Sequence, residues 1–170
     1  MVRNVHQRVI AADVHRVGRV LDTLASDHDH LWPHHRWPAI RFDRPLGVDA
    51  EGGHGPVRYT CESYSPGREV TFRFRRPNGF VGTHGFVVEE AGEGRTRLTH
   101  RLEMATRGWA RLTWPLIWRP LHDALIEDAL DCAEGVSTIP ARRDLRPLGA
   151  YVRLLRRCAT ATFVRDHGGG

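Results

Sequence analysis

"WRPLHDALIEDALD", residues 118–131, has the period of an amphipathic helix, and its reading decides the fold. At about 100° per residue, Trp118, Leu125, Ala129 and Cys132 fall on the side of His122, while Asp123, Glu127 and Asp131 gather on the other. His122 therefore points at whatever this helix covers. A buried imidazole is either a hydrogen-bonded core residue or a working group in a pocket, and the elements opposite it decide which.

Those elements have period two. "AIRFDRPL" (39–46) reads as a short strand, "GPVRYTCESY" (55–64) as a longer one, and "PGR" turns into "EVTFRFRR" (69–76). In the last, Val70, Phe72 and Phe74 alternate with Thr71, Arg73 and Arg75. "GFVGTHGFVVEE" (79–90) and "RTRLTHRLEMAT" (95–106) continue the series through the glycine-bearing turn "AGEGR", a hairpin signal. This is an antiparallel meander with one wet face. Before it, "RNVHQRVIAAD" (3–13) is a first strand ending where Asp13 offers an N-cap, and Val14, Val17, Val20, Leu21 and Leu24 then recur at helical spacing. "SDHDHLWPHHRWP" (26–38) contains two prolines and is a loop or a broken helical turn. After "TRGWARLTWPLIWRP" (106–120) the helical period returns and runs to about Glu134. The class is α+β, with a sheet that buries one face under the final helix.

A chain of 170 residues suits one domain burying about 70% of its unfolded surface. Hydrophobic content of 41% and charged content of 26% are ordinary for a globular protein. No run approaches the roughly 18 apolar residues of a membrane span, and the N-terminus lacks the apolar core of a secretory signal, so a cytoplasmic location is expected. Cys61, Cys132 and Cys158 are odd in number and far apart, which argues against a disulfide framework or a zinc ribbon. The net charge of +5 resides in residues 136–170, where seven arginines face Asp144 and Asp166. All 25 basic residues are arginine and they are scattered, a pattern of GC-rich codon usage rather than of nucleic-acid binding. Residues 1–135 are thus expected as the domain and 136–170 as a basic tail, with "RPLGAYVRLLRRCAT" a short amphipathic helix and "DHGGG" disordered. The tail is read as a solvated extension packing loosely on the domain; residues 142–157 also offer a contact for an acidic partner or a membrane surface.

The order strand, helix, antiparallel strands and long closing helix resembles the START-like helix-grip superfamily (SRPBCC), particularly its bacterial polyketide cyclase/dehydrase-type members. The residues that carry the resemblance are "VIAADVHRVGRVLDTLASD", "GPVRYTCESYSPGREVTFRF", "GTHGFVVEEAGEGRTRLTHRLEM" and "WPLIWRPLHDALIEDALD". The resemblance is topological and spans roughly residues 3–134. It implies a curved sheet gripping the last helix, a short helix pair after the first strand, and an apolar cavity for a small hydrophobic ligand. It transfers no catalytic residue.

Alternation places Phe80, His84, Phe86 and Val88 on one face of the hairpin, and Leu98, His100, Leu102 and Met104 on the matching face of its partner. If Ala91 to Glu93 form the turn, His84 lies opposite His100, and a slip by two leaves them diagonal neighbours. With His122, three imidazoles then face one cavity. They suit general acid/base work, ligand orientation or, less well, a zinc site. Tyr59, Phe72, Phe74, Arg76, Phe86, Leu102, Trp118, Leu125 and Asp128 are the expected ligand contacts, with Arg76 ending the inward row of Phe72 and Phe74. Asp128 is the carboxylate at the edge of the apolar stripe, near Leu121 and Leu125. The stripe Asp123, Glu127, Asp131 is read as a solvated face.

"DHDHLWPHH" (27–35) has no standard ligand spacing and is read as an exposed loop near the cavity mouth, over Trp32 and Trp37. "EGGHGP" (51–56) lacks a phosphate-loop ending and is read as a tight turn with His54 beside it. No nucleophile elbow, zincin or dinucleotide fingerprint is present in the sequence. The expectation is binding of an aromatic or polyketide-like molecule, with His122, His84 or His100 as proton shuttle in an enzymatic version, and no metal or cofactor. The alternatives are a non-enzymatic carrier or sensor, and an interaction module using the tail; a homodimer is compatible with each.

Overall fold

The period-two segments pair into one seven-stranded antiparallel sheet. The computed structural model describes residues 1–137, 145 and 147–166, with side chains through Cys158. In chain order the elements are β1 Val2–Ile10, α1 Val14–Asp22, β2 Arg41–Phe42, β3 Glu51–His54, β4 Val57–Ser65, β5 Glu69–Arg76, β6 Phe80–Glu90, β7 Thr96–Thr106, α2 Ala110–Thr113, α3 Arg119–Ser137 and α4 Ala150–Asp166. The strand order is β1-β7-β6-β5-β4-β3-β2, so β2 to β7 form a meander and β1 joins at the β7 edge.

Helix α1 starts where expected. The Asp13 carboxylate accepts a bond from the Arg16 backbone N–H at 2.9 Å, and Val17, Val20 and Leu21 are buried. Gly18 lies against the β4–β5 turn so closely that a Cβ there would sit 2.5 Å from the Gly67 carbonyl oxygen. A loop built on Asp29, which accepts from the backbone N–H groups of Ala25, Leu31 and Trp32, replaces the second helix of the expected pair. Pro33 and Pro38 make a regular helix there unfavourable. "EGGHGP" is more than a turn, because residues 51–54 form β3, paired with β2 and β4.

The β6–β7 register pairs Phe86 with His100 and His84 with Leu102, the slip by two that the sequence allowed. In β4–β5 the register shifts twice. Tyr59 pairs with Phe74 and Arg58 with Arg76, so Arg75 is an extra residue that breaks the alternation.

The closing helix begins at Ala110, turns through a π-helical segment, Trp114–Trp118, and continues as α3. Pro115 has no N–H to give, and the Arg119 N–H reaches back five residues to the Trp114 carbonyl. Helix α3 packs against β1 and against α1. Its apolar face packs Leu125, Ile126, Ala129, Leu130 and Ala133 into the main core. Its acidic flank, expected in solvent, faces β1 instead. Arg8 bonds Glu127, Asp131 and Glu134 at 3.0, 2.5 and 2.8 Å, His6 contacts Asp123 and Glu127, and Asn4 donates to Asp123 at 2.8 Å.

The tail's expected helix is α4. Leu148 and Val152 pack against the core, and the Tyr151 hydroxyl donates to the Leu116 carbonyl at 2.5 Å. Residues 142–144 and 146 of the basic segment, and 167–170 of "DHGGG", lie outside the described residues. Among the described residues no helix is long and apolar enough to cross a membrane.

Candidate functional site

Between the concave sheet face and the closing helix lies a cavity of about 790 Å³. The inward rows of β4 to β7 line it with Tyr59, Phe72, Phe74, Phe86 and Leu102, and the closing helix with Trp118 and Leu125. His84, His100 and His122 all border it. Trp114 and Trp118, set by the π-helical turn, both pack edge-on to Phe80, with centroids 5.7 and 5.8 Å away.

Two expected residues are not in the wall. Arg76 is exposed at the end of β5, turned away from the inward row by the extra residue Arg75. Asp128 is 2% exposed and sits behind the wall, where it accepts from Arg36 Nη1 at 3.0 and 3.1 Å and from Trp37 Nε1 at 2.7 Å. It anchors two residues that do line the cavity, Arg36 and Trp37.

The imidazoles form a chain. Ring centroids are 5.7 Å apart between His84 and His100, 5.0 Å between His100 and His122, and 6.0 Å between His122 and His6. On the other side His84 packs edge-on to Tyr59 at 4.9 Å, and the Tyr59 hydroxyl lies 3.2 Å from His54 Nδ1. Burial holds these cavity histidines neutral. Desolvation pushes His54 down to about 3 and His84 and His100 well below 6.5, with mutual repulsion between the rings adding to it. His122 is lowered by the same burial, opposed by Asp123, whose Oδ1 lies 3.6 Å from Nδ1 and so beyond a hydrogen bond.

Hydrogen bonding divides the chain. His54 and Tyr59 satisfy each other, but His84 Nε2, His100 Nδ1 and both ring nitrogens of His122 are buried with no partner among the described residues. An orphaned buried polar group costs about 1–3 kcal/mol, and a neutral imidazole carries both a donor and an acceptor. The three residues that carry these four nitrogens are all among the cavity's lining residues.

At the far end, His6, His122 and Asp123 bring ligand atoms within 4.8 Å of one another, the one group of this kind among the described residues. His84, His100 and His122 are not such a trio. The carboxylates at His6 already serve a proton. Nδ1 lies 2.7 Å from Glu127 and Nε2 3.1 Å from Asp123, and the hydrogen bond to Asp123, acting against burial, raises His6 above 6.5 toward the imidazolium.

Sequence reasoning passed over His6, the wall role of His54, and the arginines Arg36, Arg41, Arg58 and Arg156 that border the cavity. For His6 the signal existed. Asn4, His6 and Arg8 make a polar inward row with a step of about 6.8 Å along a strand, matching the roughly 6 Å step of the helix row Asp123, Glu127, Asp131. The loop histidines His28, His30, His34 and His35 are exposed, while Trp32 and Trp37 are buried in the wall.

A curved antiparallel sheet closed by a long C-terminal helix over an internal cavity defines the helix-grip class. No protein-family model and no curated sequence matches the chain. Solved structures of the same fold do: a Nitrosospira multiformis protein is 13% identical with a TM-score of 0.63, over 84% of this chain and 100% of that one. A Thermobifida fusca protein is 12% identical with a TM-score of 0.61, over 86% and 100%. The protein CalU16 from Micromonospora echinospora is 15% identical with a TM-score of 0.56, over 99% and 88%. At these identities the likeness establishes the fold alone.

Proposed function

We propose that this chain is an SRPBCC-type protein that takes a small hydrophobic molecule, aromatic or polyketide-like, into the cavity and holds its polar groups on His84, His100 and His122. The observation that carries the reading is a large cavity, rich in aromatic and aliphatic side chains, lined by three histidines that hold four ring nitrogens without a partner among the described residues. An apolar pocket with a few convergent polar groups is the usual form of a small-molecule site. A site for a purely apolar ligand gains nothing from buried, unpaired imidazoles.

A catalytic version rests on a second observation. His122 is the cavity histidine with a carboxylate beside it, Asp123 at 3.6 Å, and burial keeps its imidazole in the neutral form that a general base needs. Cyclisation or dehydration of a substrate held folded by the aromatic wall is the reaction class that such a base serves. Docking of an acidic partner or membrane surface through residues 142–157 has less support, because Arg156 turns back onto Trp37 and the Arg36 carbonyl.

The test is native mass spectrometry of protein from its own host, wild type against His122→Phe. A co-purifying small molecule present in the wild type and lost from the variant supports the site and supplies a substrate for turnover assays. Absence of any ligand, together with a variant that only changes stability, makes His122 a core residue and removes the reading.

A further inference from the structure

The closing helix turns an apolar face outward before it becomes α3. Ala110 and Trp114 are buried in a cluster with Phe80 and Leu102, yet Trp109, Leu112 and Leu116 are 80, 58 and 60% exposed. Ile117, which borders the cavity, also reaches the surface. Spacings of three and four residues set Trp109, Leu112 and Leu116 in one ridge along the helix. The solvent face of a helix is ordinarily polar, and contiguous exposed apolar side chains mark a site of interaction.

The free charges beside the ridge have one sign. Arg107 and Arg111 are exposed on the same segment, and Arg76 is exposed at the start of the β5–β6 turn, which the Arg107 N–H joins through the Gly79 carbonyl at 2.8 Å. None of these three arginines forms an ion pair among the described residues. Residues 104–122 contain no acid, and the carboxylates that flank them are engaged, Glu103 with Arg3 at 3.5 Å and Asp123 with Asn4, His6 and Arg119. Glu69, Glu89 and Glu90 lie at the opposite ends of β5 and β6.

A tryptophan and leucines framed by arginines match the interface of an anionic bilayer, where an indole sits at headgroup level, aliphatic side chains enter the acyl boundary and guanidiniums meet phosphates. Side chains this exposed project from the surface and form no groove for a peptide. We propose that the ridge docks the protein onto an anionic membrane surface, with Trp109, Leu112 and Leu116 inserted and Arg76, Arg107 and Arg111 on the headgroups. The surface is distinct from the basic segment 142–157. Docking brings Ile117, and with it part of the cavity wall, to the lipid, whatever the cavity holds.

Flotation of the full chain with vesicles tests this. Wild type is expected to float with vesicles of equal parts phosphatidylglycerol and phosphatidylcholine, to stay unbound with phosphatidylcholine alone, and to dissociate as salt is raised. Trp109→Ser/Leu116→Ser and Arg107→Gln/Arg111→Gln should each weaken binding at least about tenfold while keeping the wild-type far-ultraviolet dichroism, because the altered residues are exposed. Val48→Ser, which removes an exposed apolar side chain from the β2–β3 connection, should bind as wild type. Lipids brominated on the acyl chain should quench wild-type tryptophan emission, and Trp109→Phe, which keeps the ridge apolar, should still float but lose most of that quenching. Wild type that ignores anionic vesicles overturns the proposal, and so does undiminished binding by both double variants. A concentration-dependent dimer that Trp109→Ser/Leu116→Ser abolishes, without vesicle binding by wild type, assigns the ridge to a second copy and overturns it as well. The cavity reading is decided separately, by the His122→Phe comparison.

Discussion

His84 shows how a residue is held in a state it would not choose in water. Its ring stacks on Phe74 at 4.6 Å with an interplanar angle of 26°, and its Nε2 has no partner among the described residues. A phenylalanine keeps the stacking and removes the orphaned atom. His84→Phe is therefore expected to stabilise the unliganded protein by about 1 kcal/mol in urea unfolding while weakening ligand binding, the pattern of a site whose polar groups serve function. A loss of stability instead would mean that the nitrogen has a partner. At this scale the sequence was informative where parity sufficed. Period two puts His84 and His100 on one face under either register, so a slip by two left their neighbourhood intact. Parity failed at Arg76, where a bulge adds a residue without any sequence signal. It was uninformative for Asp128, whose partners Arg36 and Trp37 lie 92 and 91 positions away.

Among the elements, α1 depends on having no side chain at Gly18. Alanine gains about 1 kcal/mol of helix propensity, but its Cβ would meet the Gly67 backbone at 2.5 Å, and overpacking of this kind costs about 1–3 kcal/mol. Gly18→Ala should thus be net destabilising, measured by thermal or urea unfolding, although Ala is the better helix former. Between α3 and the loop of residues 26–38 the Asp128 anchor is decisive. Asp128→Ala removes the carboxylate that Arg36 and the Trp37 indole N–H share and is expected to cost about 3 kcal/mol, in the range for breaking a buried pair. The same variant should loosen the rim through the Arg156 contact with Trp37. Helix α4 is a cover rather than a pillar, since among the described side chains only its Val152, with Leu148 just before the helix, packs against the main core. Deleting residues 145–170 is expected to leave far-ultraviolet dichroism characteristic of the folded sheet and to speed ligand release, read by stopped flow. The helical period of this segment was plain in the sequence. Its seat at the cavity mouth was not, because that depends on Arg156 meeting Trp37 across the fold.

For the whole molecule, four cavity histidines kept neutral by burial set the response to acid. Below about pH 6.5 the unfolded chain takes up protons that folded His54, His84, His100 and His122 refuse, so stability falls as pH drops toward the folded-state values, about 3 for His54. Each contributes at most about 1.4 kcal/mol per pH unit across that window. His6 acts in the opposite sense, since its raised value adds stability below 6.5 that is lost as pH rises through the folded value. Asp123, depressed through its bonds to histidine and Asn4, keeps its contribution until the pH falls below the ordinary carboxylate range. Four against one predicts net destabilisation between pH 6.5 and about 4. Urea midpoints at pH 7, 6 and 5 should fall steadily, and less steeply in a His84→Phe/His100→Phe variant. A flat profile would show that the imidazoles charge freely in the folded state.

Four of the five tryptophans, Trp32, Trp37, Trp114 and Trp118, stand on the cavity wall, while Trp109 is 80% exposed. The protein is consequently its own optical sensor. Filling the cavity changes the surroundings of four indoles at once against one constant, water-exposed emitter, so a blue shift and a change in yield report occupancy without any label. Because His122 lies 5.8 Å from Trp114, and a protonated imidazole quenches indole emission, the same light also follows the proton that a catalytic cycle would move.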